Sequence, residues 1–125
     1  MKKKTFHWYH LLNPFFTYRL YKTLTRFKRA CDHAELRSSI SGTTFLVLPM
    51  LGGGLMVADR YNIRKAKREG RIDTSYSHIS LNPNMRDVQR ECFYYTAHKG
   101  MDPMPPSIME RKKRQYLSWA LGMHF

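Results

Sequence analysis

From Ser38 to Ala58 the chain carries no Lys, Arg, Asp, Glu or His, although the whole sequence holds 22 Lys and Arg. This stretch, SSISGTTFLVLPMLGGGLMVA, constrains the fold more than any other. As a helix its 21 residues rise about 31 Å in total, close to the hydrocarbon thickness of a bilayer. Arg37 bounds it on one side, and Asp59-Arg60 with Arg64, Lys65, Lys67 and Arg68 on the other. The charge gap predicts one transmembrane helix over residues 38–60. The alternative is a buried core helix, because Ser, Thr and Gly crowd its first turns. Pro49 and Gly52-Gly53-Gly54 are breakers in water but are tolerated in lipid. The three glycines, bare of side chains, let another helix approach, and with Pro49 they form the expected helix-docking face.

The remaining composition points to a partner rather than to a substrate. The 125 residues carry a net charge of +13 and 14% aromatics. Such a balance calls for a polyanionic neighbour: lipid headgroups, nucleic acid or the acidic face of another subunit. Cys31 and Cys92 fall on opposite sides of the expected span, so they are read as separate thiols, with no metal-type spacing. The N-terminus is basic but has no adequate apolar stretch before Asn13-Pro14, which argues against a signal peptide.

Residues 1–37 form a basic amphipathic segment. Asn13 serves as N-cap and Pro14 as first helical residue. Phe15, Tyr18, Tyr21, Leu24 and Phe27 then recur at roughly helical spacing, with Arg19, Lys22, Arg26 and Arg29 between them, over about five turns. Residues 61–82 are expected to continue the span as a basic juxtamembrane helix capped at Gly70, followed by an extended connector from Arg71 to Asn82. Residues 83–125 form a C-terminal extension of two helices. The first opens at Asn82-Pro83, shares Met85, Val88, Cys92 and Tyr95 on one face, and ends near Gly100. After the linker Met101 to Pro106, Ser107 and Glu110 make a capping box, and Tyr116, Trp119, Ala120 and Met123 line one side of the second. The resulting fold class is all-α: a single transmembrane helix, amphipathic flanking helices and an extended tail draped over partners.

No catalytic, cofactor-binding or metal site is expected. The six histidines (7, 10, 33, 78, 98, 124) are dispersed, and none combines with a carboxylate at metal-ligand spacing. His7 and His10 read as part of an aromatic cluster with Trp8 and Tyr9. No Lys-Ser/Thr follows the glycine triplet, so it is not a phosphate loop. Asp59 beside Arg60 reads as an ordinary interfacial pair.

The string RKAKREGRIDTSYSHISL, Arg64 to Leu81, resembles the family of complex I accessory subunits represented by NADH dehydrogenase (ubiquinone) beta subcomplex subunit four. The resemblance rests on Arg64-Lys65-Ala66-Lys67, on Glu69-Gly70-Arg71-Ile72-Asp73, and on Tyr76, His78 and Leu81. Upstream, Asn13-Pro14 with Tyr18-Arg19 and Tyr21, and Ser38 to Gly42 with Pro49, resemble that family's pre-span helix and span entry. The likeness covers roughly residues 11–81; the chain then runs on for 44 further residues, to Phe125.

What the resemblance implies is a non-catalytic accessory subunit of mitochondrial complex I. It would be a single-pass protein of the inner membrane, N-terminus on the matrix side, bracing membrane-arm subunits. Arg60, Arg64, Lys65, Lys67 and Arg68 would meet an anionic phospholipid such as cardiolipin. Pro49, Gly52, Gly53 and Gly54 would be the docking face; no cofactor and no nucleic acid are expected. The alternatives are an accessory subunit of ATP synthase or cytochrome oxidase, or a basic mitochondrial ribosomal protein whose aromatic and Lys/Arg side chains bind RNA.

Overall fold

In the computed structural model, which describes residues 4–73, 90, 92–97 and 102–124, the charge-free stretch is not one helix. Ser38 to Ser41 are the last turn of a long helix, α1 (Pro14–Ser41). Gly42, at φ +73°, ends it. The chain then forms a hairpin of two strands, β2 (Leu46–Pro49) and β3 (Leu55–Ala58). The pair is antiparallel, with Leu46 opposite Ala58 and Pro49 opposite Leu55. A third strand, β4 (Tyr94–Tyr95), lies on the other side of β2, giving the order β3-β2-β4. The fold is therefore mixed helix and sheet, which corrects the all-α expectation. Among the described residues no helix is long and apolar enough to cross a membrane, so the single-pass inner-membrane placement and its matrix-side N-terminus are corrected as well.

The physical reason lies in β2. Side chains alternate across a strand, so Leu46 and Leu48 pack with Ile63, Ala66 and Ile72 on one face. Phe45 and Val47 pack with Ala34 on the other. The helix α2 (Arg60–Arg68) covers the first face, and α1 the second. A strand buried on both faces needs no polar alternation and reads as a continuous apolar run. That run is what the charge gap recorded. Each fully buried Leu or Phe contributes roughly 1.5–3 kcal/mol by leaving water.

The breakers fit the hairpin. Gly52 and Gly53 have φ of +93° and +96°, a region that L side chains avoid. The Met50 N–H donates to Gly54 O at 2.9 Å and the Gly53 N–H to Met50 O at 3.2 Å, closing the loop. Pro49 is buried at the end of β2, and the glycines are exposed in the turn. They do not make a helix face. Substitution should separate the two arrangements. Gly53→Ala is expected to cost about 1–2 kcal/mol through its backbone alone, since an added Cβ there meets nothing within 4 Å. Gly54→Ala, at a position without positive φ, is expected to be neutral or stabilising by up to about 1 kcal/mol. Urea denaturation of the two variants checks this; equal losses would contradict the turn.

Helix boundaries follow local chemistry. The Asn13 side chain accepts from the N–H of Phe15 and Phe16 at 2.9 and 3.3 Å, and Pro14 opens α1, as its sequence foretells. α2 does not continue a span but starts afresh: Asp59 is its N-cap, accepting from Asn62 N at 3.0 Å and Asn62 Nδ2 at 2.8 Å. Asp59 is thus a cap rather than an interfacial partner of Arg60. Glu69 is the C-cap, with Gly70 at φ +70° just beyond. The last helix, α3 (Pro106–Leu121), begins after Pro105 with no side-chain cap, so Ser107 lies inside its first turn and the expected capping box is absent.

Tyr94–Tyr95 is strand where a helix through Tyr95 was expected. The Asn82-Pro83 helix start, Met85, Val88, His78, His98, Gly100 and most of the connector lie outside the described residues. Arg71, at the start of that connector, donates to Ala66 O at 2.9 Å. Ile72 bridges Met50 antiparallel, and the Asp73 N–H donates to Pro49 O at 3.0 Å. Finally, β5 (Met123–His124) pairs in parallel with β1 (Lys4–Thr5), tying the two ends of the chain together.

Candidate functional site

Two surfaces and one cleft concentrate the chemistry. The first surface is α2. Ile63 and Ala66 are buried against the sheet, which fixes the helix's rotation. Arg60, Arg64, Lys65 and Arg68 are consequently exposed, with Lys67 half-buried. None of these five is in an ion pair among the described residues, where the pairs are Lys28–Asp32 and Arg71–Glu69. The five cations singled out from the sequence share one short helix, four of them exposed and Lys67 half-buried.

The second surface runs along the chain's first elements, from a 3-10 turn (Trp8–Leu12) into α1. Phe6 stacks on Phe16 and His10 at 5.9 Å from each, and His10 lies 5.4 Å from Phe16. This inner stack anchors the turn to α1. Trp8, Tyr9, Leu11 and Leu12 are left exposed. The ridge continues onto Phe15, Tyr18 and Tyr21, also exposed, with the Lys22 ammonium 5.1 Å from the Tyr18 ring.

The apolar stripe expected on α1 is therefore split. Residues three apart on a helix slip backward by about 60° per step, so a strict spacing of three winds around the cylinder. Phe15, Tyr18 and Tyr21 end on the solvent side, whereas Leu24 and Phe27 pack into the core. The actual inner face, Phe16, Leu20, Leu24 and Phe27, follows the i, i+4, i+8, i+11 pattern. That signal was present in the sequence.

The cleft, about 590 Å³, lies between α1 and α3 and is lined by Leu24, Phe27, Cys31, Tyr94, Met109 and Lys113, among others. Burial, then the Asp32 and Glu35 carboxylates, push the Cys31 thiol from its ordinary 9.0 up to about 12. A thiol held neutral is a poor nucleophile. The Tyr94 hydroxyl, which donates to the Glu35 carboxylate, is likewise pushed up, first by burial and then by that bond. Burial also raises Tyr116 to about 12, against the opposing pull of Arg26. Its hydroxyl donates to Thr23 O at 2.8 Å.

Comparison of the chain with protein-family models, curated proteins and solved structures found no match. Among the described residues no three of His, Cys, Asp and Glu gather as a metal site would require. Cys31 is half-buried and Cys92 buried, and the two do not form a disulfide.

Cys31 and Tyr116 give a pH prediction. Folding raises both values, so the folded chain holds these protons more tightly than the unfolded one. That stability is complete below about pH 9 and is lost as pH rises toward about 12. Melting temperature is expected to fall progressively over this window, less steeply in Cys31→Ser. At pH 8 Cys31 is expected to react with iodoacetamide at least about tenfold more slowly than a free thiol; alkylation at the free-thiol rate would contradict this environment.

Proposed function

We propose that the chain is a non-catalytic accessory subunit that braces a larger assembly and is held by its surfaces. The observation that supports this best is the α2 face. It presents four exposed cations and the half-buried Lys67, without ion-pair partners among the described residues, on a helix whose inner side is locked into the core. Such a surface repels itself unless a polyanion covers it. Anionic phospholipid headgroups are the partner proposed for Arg60, Arg64, Lys65, Lys67 and Arg68, worth about 1 kcal/mol per cation at an anionic surface. The host proposed is respiratory complex I, on the likeness at Arg64 to Leu81 and without the span of that family.

The second reading is a ribosomal protein, favoured by the interleaving of exposed rings and cations on α1, where Lys22 sits over Tyr18. Native gel electrophoresis of the tagged full chain from its own cells tests both. Under the first reading it migrates with NADH dehydrogenase activity. Migration with another respiratory complex would move the host. Sedimentation with ribosomal subunits, abolished by ribonuclease, would replace the reading with the second.

A further inference from the structure

We infer that the ridge from Trp8 to Tyr21 is an interfacial attachment site for an anionic lipid bilayer: it lies on the membrane surface and does not cross it. This deepens the lipid partner proposed above but rests on different residues. The ridge is large and unusually bare. Trp8 is 73% exposed, Leu12 75% and Phe15 84%, with Tyr9, Leu11, Tyr18 and Tyr21 exposed around them. Isolated surface hydrophobics are ordinary, but a contiguous set marks an interaction surface.

Its geometry is built rather than incidental. The Phe6–His10–Phe16 stack holds the 3-10 turn against α1. The Thr17 hydroxyl lies 2.9 Å from Leu11 O and 3.0 Å from Asn13 O, fixing the corner between the two elements. Trp8, Leu12 and Phe15 are thereby presented from a rigid corner. The backbone that carries them is therefore ordered before binding.

Charge complementarity names the occupant. The first acidic residue in the sequence is Asp32; the 31 residues before it contain eight Lys and Arg. Among them Arg19, Lys22, Arg26 and Arg29 are exposed on the same α1 that carries the ridge. Large apolar side chains flanked by cations, with Trp and Tyr among them, are what the boundary between headgroups and acyl chains accepts. A nucleic acid would use the rings for stacking, but Leu11 and Leu12 offer no π face to a base. An acidic protein surface would satisfy the cations and leave Leu12 and Phe15 in water.

Vesicle flotation of the purified full chain tests this. The chain is expected to float with phosphatidylcholine vesicles containing phosphatidylglycerol, and roughly tenfold less with phosphatidylcholine alone, the difference shrinking as salt rises. The triple variant Leu12→Ser, Phe15→Ser, Tyr18→Ser alters only exposed positions. It is expected to keep its circular dichroism spectrum and to float roughly tenfold less well or worse. Trp fluorescence of the wild type should shift to the blue on anionic vesicles, and Trp8→Phe should remove that shift while flotation persists.

Flotation of the triple variant at the wild-type level, lost instead in Arg64→Glu/Lys65→Glu, would overturn this inference and leave the α2 proposal standing. Absence of flotation in the wild type would overturn it too. So would single-stranded RNA binding, or self-association of the chain, that the triple variant abolishes in place of flotation.

Discussion

Replacing Lys112 by methionine is expected to destabilise the fold by about 1–3 kcal/mol. Lys112 lies on α3 and is only 2% exposed. Its Nζ donates to Cys92 O at 2.8 Å and to Arg90 O at 3.1 Å, and lies 5.8 Å from the Tyr95 ring. The stem packs while the ammonium satisfies backbone carbonyls beside β4.

Exchanging a buried ion pair for apolar residues is often harmless, because both partners are removed together. Here the partners are main-chain carbonyls, which no substitution removes. Methionine fills most of the volume but withdraws the ammonium from the buried Cys92 carbonyl, and the loss of such a donor at a buried acceptor costs about 1–3 kcal/mol. Lys112→Ala should lose more, since a cavity is added. Urea denaturation of the two variants gives the comparison. A methionine variant within about 0.5 kcal/mol of wild type would mean that these carbonyls do not depend on Lys112.

Phe93→Ala is expected to cost about 3–5 kcal/mol. Phe93 is fully buried where α1, α3 and the sheet meet. Its ring stands edge-on to Tyr116 at 5.4 Å and tilted to Trp119 at 5.7 Å, and Tyr116 in turn stacks on Phe27 of α1 at 4.8 Å. Truncation removes the transfer energy of the ring, opens a cavity and breaks edge-to-face contacts together. Domains of this size are stable by about 5–15 kcal/mol, so the variant should lose a large fraction of its stability. Phe93→Leu keeps most of the volume and should lose about 1.5 kcal/mol or less. Thermal melts read both. The near-ultraviolet dichroism of the Tyr116–Trp119 cluster should collapse in the alanine variant first. A loss below about 1 kcal/mol would show that this junction is not the keystone of α1–α3 packing.

How far the sequence discloses this fold varies by element. The start of α1 is written in Asn13-Pro14, because an N-cap is a local matter between one side chain and two nearby N–H groups. The basic face of α2 is legible for the same reason: Ile63 and Ala66 three residues apart orient a short helix, and the cations take the rest. The stripe on α1 is half legible, since a spacing of three resembles helical periodicity for only a turn or two. β4 is not legible. Tyr94-Tyr95 becomes a strand because β2 offers an unpaired edge, with Leu46 opposite Tyr95 and Val47 opposite Tyr94, and an edge 48 residues upstream leaves no local mark.

The charge-free stretch shows the division most plainly. By itself the sequence determined that the apolar run Phe45 to Leu48, inside the charge-free stretch, must leave water. It did not determine what would receive it. An apolar run surrounded on all sides fits a lipid-facing helix and a strand between two helices equally well. The choice rests on contacts remote in sequence: Phe45 and Val47 on Ala34 of α1, Leu46 and Leu48 on Ile63 and Ala66 of α2, and β4 along the edge. Those contacts turned the glycines from a helix face into a turn. The same packing of α1 set its inner and outer sides, and so decided which of its aromatic side chains were left to meet a partner.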